Sequence, residues 1–245
     1  MKVAVIIPAA GLGTRMGKPE SAGSRKQFVF LDGSPIFIHT LRKFAKVPSV
    51  SQILVAVREE DRESVEQELR RESPAIAVRL IEGGRNRQES VRNCLTAVAG
   101  DTDLVAVHDA VRPFVTVTQI EQVIAQAAEH GAAILGIPPV DTVKQVDRTQ
   151  IQSTLLRERI VLAQTPQVFR YSLLQRAFEQ AEGDKFIGTD EASLVEHLGE
   201  PVHVLLGSDR NIKITRPSDM ALARLFHQEE MERAVNAADE AVEAG

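Results

Sequence analysis

Val3-Ala-Val-Ile-Ile7 runs without a break into Pro8-Ala-Ala-Gly-Leu-Gly-Thr-Arg-Met-Gly17 near the start of the chain. A short, continuous, β-branched run suits a strand covered on both faces, the kind found in parallel sheets. The glycines that follow let the backbone turn so that successive N–H groups point at phosphate oxygens, and Arg15 adds a permanent charge with several donors. A triphosphate fits such a loop. The segment is not a P-loop, because no Gly-Lys-Ser/Thr closes it. It is not the dinucleotide fingerprint either, because Met16 stands one place before the next glycine, Gly17, and this disfavours a nicotinamide dehydrogenase.

The pattern downstream alternates. Ser34-Pro35 reads as the N-cap and first position of a helix with a stripe of Phe37, Ile38, Leu41, Phe44 and Ala45, ended by Pro48. Residues 53–57 read as a strand, 59–72 as a charged helix anchored by Val65 and Leu69, and 76–81 as a strand. Gly83-Gly84 precedes a helix carrying Val91, Leu95 and Val98, then a strand at 104–108 and a helix at 120–128. Strands and helices alternating with short connections predict an α/β fold with a mostly parallel sheet, helices on both faces and ligands beyond the carboxyl ends of the strands.

From Pro138 to Arg157 the regularity fails. Residues 140–146 and 151–155 flank the polar Asp147-Arg-Thr-Gln150 and read as a β-hairpin projecting as an arm, which needs a partner surface to be stable. Alternation resumes with a strand at 161–164, helices at 173–181 and after Thr189-Asp190-Glu191, a strand at 202–206 and a last helix from Ser218. The expected organisation is one domain over 1–229 with the arm, 139–158, inserted in it, and an acidic, frayed helical tail over 230–245.

With 43% hydrophobic and 26% charged residues in 245, the composition is that of a globular chain able to bury a substantial core. Twenty-nine Lys+Arg against 34 Asp+Glu give a net charge of −5. No global basic field therefore draws the chain to nucleic acid or anionic lipid, and any phosphate site is local. The apolar runs are strand-sized, with neither a membrane span nor a signal peptide among them, which makes the cytoplasm the expected compartment. The one cysteine, Cys94, lies in an apolar helical pattern and reads as a core residue.

Several other residues could carry chemistry. Lys26 follows the glycine loop and could meet the leaving phosphates. Asp109, in Val107-His-Asp-Ala-Val-Arg-Pro113, ends a strand, where it could cap the next turn, bind Mg²⁺ or hold a substrate hydroxyl, with Arg112 on a phosphate. Asp209 is a second choice for the metal. Gly83-Gly84 offers another turn of backbone donors, and Ser90 either contacts a base or caps its helix.

These residues, in order, carry a resemblance. Pro8 to Met16, Lys26-Gln27, Gly83-Gly84 with Arg87 and Ser90-Val91, His108-Asp109-Ala110 with Arg112-Pro113, Asp141-Thr142, Thr165-Pro166-Gln167, Thr189-Asp190-Glu191-Ala192 and Asn211-Ile-Lys-Ile-Thr215 resemble the 2-C-methyl-D-erythritol 4-phosphate cytidylyltransferases of the non-mevalonate isoprenoid pathway, over nearly the whole chain. The resemblance implies a three-layer Rossmann-like nucleotidyltransferase fold, transfer of CMP from CTP to the polyol phosphate, and Mg²⁺ as cofactor. By the same likeness Arg15 and Lys26 stabilise the transition state, while Ala9, Ala10, Gly11, Leu12, Gly13 and Thr14, with Gly84, Ser90, Asp109, Ala110 and Thr165, surround CTP. Thr142, Arg157 and Lys213 would hold the acceptor phosphate, and the arm would cross to a second subunit to make a homodimer. The stretch Gly17 to Arg25 is longer than is usual in that family, and Lys18 or Arg25 could share the role of Lys26. Arg85 stands where some relatives have an acidic residue.

Two rivals remain at this level: a sister enzyme acting on ribitol 5-phosphate or another polyol phosphate, and a nucleotide sensor without catalysis. Arg15, Lys26, Asp109, Arg157 and Lys213 together speak against the sensor, which needs no acceptor site.

Overall fold

The computed structural model describes residues 1–11 and 26–243, with side chains given for 1–11 and 27–236. Leu12, Gly13, Thr14, Arg15 and the 17–25 stretch lie outside the described residues. β1 (Val3–Pro8) is followed by a single 3-10 turn at Lys26–Phe28, the two-residue strands β2 (Phe30–Leu31) and β3 (Ser34–Pro35), α1 (Ile36–Ala45) and β4 (Val50–Val57). Then come α2 (Glu59–Glu72), β5 (Val78–Glu82), α3 (Arg87–Thr96), β6 (Leu104–Val107), α4 (Val117–His130) and β7 (Ala132–Ile137). The hairpin strands β8 (Lys144–Asp147) and β9 (Gln150–Thr154) lead to β10 (Leu162–Arg170), α5 (Tyr171–Gly183), α6 (Glu191–His197), β11 (His203–Leu206) and α7 (Pro217–Glu243).

Seven strands form one sheet in the order β11-β7-β10-β6-β1-β4-β5. β10 runs antiparallel to β6 and β7, and the other pairs are parallel. The two-residue side-chain period of β1 divides the core. Val3, Val5 and Ile7 pack with Phe37, Leu41 and Phe44 of α1 and Ile120 and Val123 of α4, while Ala4 and Ile6 face Val91 and Cys94 of α3 and Leu174 and Phe178 of α5. Both faces of the sheet are thus covered, which is why the strand sequences are apolar throughout. A third cluster, with Leu31, Ile36, Phe114, Ile214 and Met220, docks the start of α7.

The chain goes from β1 outward to β4 and β5, then returns to the other side of β1 as β6. This reversal opens a crevice between the carboxyl ends of β1 and β6, the place where open α/β sheets bind ligands.

Local chemistry accounts for most boundaries. Thr116 and Gln119 form a reciprocal capping box at the start of α4, and Gly131, at φ 95°, ends it. The reading of Ser34 as an N-cap is corrected: Ser34 and Pro35 pair with Leu31 and Phe30 as β3, and α1 begins at Ile36 without a side-chain cap. Strand β7 was not anticipated, its Ala132-Ala133 start and Gly136 being weak strand formers. Gly136 is required there, because a Cβ would stand 2.2 Å from Cγ1 of Val161. The last strand before α5 is also longer than its apolar start at 161–164, running on to Arg170 along β6 and β7. α7 continues unbroken from Pro217 into the acidic tail, to Glu243.

Candidate active site

Four parallel strands, β1, β4, β5 and β6, deliver their carboxyl-terminal loops to one cleft of about 250 Å³. Ala9, Ala10 and Gly11 leave β1; Arg58 follows β4; Gly84 to Arg87 follow β5; Asp109 to Val111 follow β6; and Lys213 closes the rim. The first loop is held from behind. Ala9 N–H donates to Ala56 O at 2.8 Å, Gln27 Nε2 donates to Ala9 O at 2.5 Å and to Gly11 O at 3.1 Å, and Arg58 Nε donates to Ala10 O at 2.9 Å. These bonds use the carbonyls of residues 9–11 and leave the inner surface of the turn to a ligand.

The second loop sits hard against the first. A Cβ on Gly83 would lie 2.2 Å from the Cβ of Ala10, so only glycine permits the approach. Gly84 N–H donates to Ser90 Oγ at 3.0 Å, and that hydroxyl donates to Asn86 O at 2.8 Å. Asn86 caps α3 through its side chain, which accepts from Glu89 N–H, so Ser90 fixes the glycine turn instead of capping the helix. Arg85 points outward and pairs with Glu89.

Asp109 is the centre of charge. It is 7% exposed and faces three cations: Lys213 Nζ at 2.8 Å, Arg112 Nε at 3.4 Å and Arg87 Nε at 3.5 Å. Burial alone would raise its pKa, but Arg87, Lys213 and Arg112 outweigh burial and hold the carboxyl well below the usual carboxylate range. Its backbone N–H donates to Thr165 Oγ1 at 3.1 Å. Arg112 NH1 donates to Asn211 O at 2.6 Å, and the buried Asn211 side chain donates to Thr165 O at 2.9 Å, tying β6, β10 and the Lys213 segment together. Next to Asp109, the fully buried His108 bonds Arg112 O through Nε2 at 3.0 Å, and burial pushes its pKa down to about 4.

A mostly parallel α/β sheet, a backbone turn after β1 and a carboxylate among cations at the switch point are shared by many nucleotidyltransferases; sequence and structural likeness single out one family. The IspD family, 2-C-methyl-D-erythritol 4-phosphate cytidylyltransferase, matches residues 3–229. The chain belongs to this family. The 2-C-methyl-D-erythritol 4-phosphate cytidylyltransferase of Solibacter usitatus is 58% identical over 95% of this chain and 98% of its own length. The crystal structure of the Anaerococcus prevotii 4-diphosphocytidyl-2C-methyl-D-erythritol synthase superposes with a TM-score of 0.81 at 28% identity, covering 93% of this chain and 98% of that one. The crystal structure of the Thermus thermophilus cytidylyltransferase superposes at 0.75 with 32% identity, over 93% of this chain and all (100%) of its own. As an IspD cytidylyltransferase the chain transfers CMP from CTP to 2-C-methyl-D-erythritol 4-phosphate, a divalent-cation-dependent nucleotidyl transfer.

Of the residues singled out in the sequence, this IspD chain brings Ala9, Ala10, Gly11, Gly84, Ser90, Asp109, Ala110 and Lys213 to the cleft. Arg112 and Thr165 stand behind it, each holding Asp109. Thr142 and Arg157 do not line it: both are exposed at the base of the arm, where Arg157 NH1 donates to Val140 O at 3.1 Å. Arg15 lies outside the described residues, and Lys26 is described only as the start of the 3-10 turn. Sequence reasoning gave no role to Gln27, Arg58, Arg87 or Glu191. Gln27, Arg87 and Glu191 lie within the motifs that carry the family resemblance, but a side chain that braces a backbone carbonyl or another ion leaves no periodic trace in one sequence.

The cleft fits a divalent cation in one particular way. Asp109 is the one carboxylate among the described lining residues, and no group of three metal-ligating side chains occurs among the described residues. Mg²⁺ is commonly held by one or two carboxylates plus substrate phosphates. Asp109 Oδ1, which faces Arg87 Nε at 3.5 Å among the described residues, is placed for that arrangement. Asp209 is not among the lining residues. No helix among the described residues is long and apolar enough to cross a membrane.

Proposed function

We propose that the transfer runs by in-line attack of a phosphate oxygen of 2-C-methyl-D-erythritol 4-phosphate on the α-phosphorus of CTP, in the cleft between β1 and β6. The new bond joins that oxygen to the α-phosphorus, the bond from the α-phosphorus to the bridging oxygen breaks, and pyrophosphate leaves with the electron pair. A phosphate monoester has a second pKa of about 6, so the nucleophile is already mostly dianionic at neutral pH and needs no general base. The chemical requirement is relief of repulsion between two polyanions held in line.

The chain's own cations meet it. Arg15 and Lys26 neutralise the α- to γ-phosphates as charge moves to the leaving group, and the N–H groups of residues 9–14, with Leu12, Gly13 and Thr14 completing the turn, cradle the triphosphate. Gly84, Ser90, Asp109 and Ala110 wall the nucleoside, and Thr165 fixes Asp109. Lys213, with Thr142 and Arg157, holds the acceptor phosphate; Arg112, expected on that phosphate from the sequence, stands behind the cleft and holds Asp109 instead. The cation would be Mg²⁺, which Asp109 would help to hold and which would supply further charge neutralisation when bound. Residues 1–229 act as one domain, with the 139–158 arm making a homodimer in which it serves the partner's cleft and with 230–245 as a helical tail. The enzyme works in the cytoplasm.

The observation that carries this reading is the meeting of Asp109 with Arg87, Arg112 and Lys213 at the switch point, beside Ala9 to Gly11 and the Gly83-Gly84 turn: a site charged for phosphate and shaped by backbone. The test is pyrophosphate release by the purified protein with Mg²⁺ and CTP. Release is expected with 2-C-methyl-D-erythritol 4-phosphate and not with ribitol 5-phosphate or without acceptor. A ribitol preference, or silence with both, overturns it.

A further inference from the structure

Arg87 is the first residue of α3, where the helix dipole disfavours a cation. Two carboxylates from other elements keep it there. Glu191, the first residue of α6 and 1% exposed, places both carboxylate oxygens 2.7 and 2.9 Å from Arg87 NH1, while Arg87 Nε faces Asp109 Oδ1 at 3.5 Å. The start of α6 is itself rigidly tied. Asp190 caps it, the buried Gln167 of β10 donates to Asp190 Oδ2 at 2.8 Å and accepts from Ala192 N–H at 3.0 Å, and Gln88 accepts from Gly188 N–H at 3.0 Å. Consecutive residues of α3, 87 and 88, therefore grip one anchored segment. Lys213 contrasts with this. Its side chain is 36% exposed and its bridge to Asp109 is its ion pair among the described residues.

We infer that Glu191 is a positioning residue for the nucleotide site, acting through Arg87: it makes Arg87 a fixed counter-ion of Asp109 beside Arg112, so that Lys213 is the exchangeable one, released to a substrate phosphate while two cations stay on Asp109. Taking cations away from a buried carboxylate is costly, and permanent partners lower that cost at the binding step. The guanidinium suits the part, since it spans two carboxylates with fixed geometry where an ammonium would serve one. This rests on the cytidylyltransferase reading, in which Lys213 meets the acceptor and Asp109 the nucleotide.

The test is Glu191→Gln, which keeps the shape and removes the charge. The Kd for CTP, measured by calorimetry, and the KM for CTP are both expected to rise about tenfold, the size of one charge-assisted hydrogen bond, with kcat changed less than about threefold. A purely structural role would lower the unfolding temperature and the active fraction and leave Kd and KM unchanged, and that result overturns the inference. If the variant does not fold, Arg87→Met with Glu191→Leu replaces the ion pair by apolar groups of similar volume, a change buried pairs often tolerate. The same rise in Kd is expected there, and a wild-type Kd overturns it. In the wild-type protein, with or without CTP, Arg87 Nε–H must exchange slowly with solvent; fast exchange also refutes the fixed pairing. Failure of the reaction itself would appear separately, as absent pyrophosphate release from the wild type, while the calorimetric comparison stands without turnover.

Discussion

The cleft and the arm solve opposite problems. In the cleft the chain pairs its own buried carboxylates: Asp109 and Glu191 are 7% and 1% exposed, and each has a cation from a different element, Arg87 for both and Lys213 for Asp109 as well. In the arm the chain leaves apolar surface unsatisfied. Val146 and Ile151, cross-strand partners in the hairpin, are 58% and 65% exposed, and Leu156 just beyond is 65% exposed. A two-stranded hairpin is at best marginal in water, so its register rests on Lys144 Nζ donating to Thr154 Oγ1 at 2.7 Å and a tight turn with Arg148 at φ 51°. The difference separates two kinds of surface: the cleft pairs its buried carboxylates with the chain's own cations, while the hairpin leaves apolar side chains exposed.

The largest effects should arise where charge develops. Arg15→Ala or Lys26→Ala is expected to lower kcat by roughly 10²–10³, the cost of losing one preorganised donor to a transition state, with a smaller loss of CTP affinity. Single-turnover rates beside calorimetric CTP binding would show it. Unchanged turnover removes that residue from the mechanism and shifts the catalytic burden to the Arg87, Arg112 and Lys213 group.

What the sequence disclosed follows from the same contrast. β1, the Gly83-Gly84 turn, α2 to the residue, and the switch-point crevice were legible because apolar periodicity and glycine have local causes. Asp109 and Lys213 were legible through motif order. The bracing of residues 9–11 by Gln27 and Arg58, and of Arg87 by Glu191, was not, because partners 48 or 104 residues apart share no pattern. β7 was missed because Ala132, Ala133 and Gly136 are weak strand formers, and Gly136 answers to Val161, the residue just before β10, and not to strand propensity. Ser34 was misread because a two-residue pairing with β2 looks, in sequence, like a helix cap.

An intermediate effect concerns stability at the cleft's floor. His108 packs against Phe44 with ring centroids 4.9 Å apart and is held neutral, its pKa pushed down to about 4. The unfolded chain titrates this histidine near 6.5, so between those values the unfolded state binds the extra proton. The contribution is therefore full above about pH 6.5 and lost as pH falls towards 4, about 3 kcal/mol in all. Asp109, whose carboxyl is depressed, adds stability that disappears only as pH falls below its unfolded value near 3.9 and so lies outside this window. Urea unfolding of the wild type and His108→Phe at pH 7, 5.5 and 4 should show the variant with the shallower slope, even though it is less stable at pH 7. Parallel slopes would place the acid sensitivity elsewhere, His39 being the other buried imidazole with a lowered pKa.

The smallest effect on the folded chain, and the sharpest on the comparison, comes from the arm. Val146→Asp with Ile151→Asp puts two like charges on directly paired positions of a hairpin that supports no part of the core, so each chain should keep its unfolding free energy within about 1 kcal/mol apart from any dimer contribution. Desolvating two carboxylates in an interface is costly, and sedimentation should find monomers at concentrations where the wild type is dimeric. If the nucleotide's contacts all come from one chain's cleft, as proposed, CTP affinity should stay near the wild-type value. Thr142 and Arg157 ride at the base of the arm, so the KM for 2-C-methyl-D-erythritol 4-phosphate should rise about tenfold or more, the worth of one lost charged contact. A monomer with an unchanged acceptor KM would show that the arm assembles the protein without serving the reaction, and a CTP affinity that fell with it would erase the division between cleft and arm.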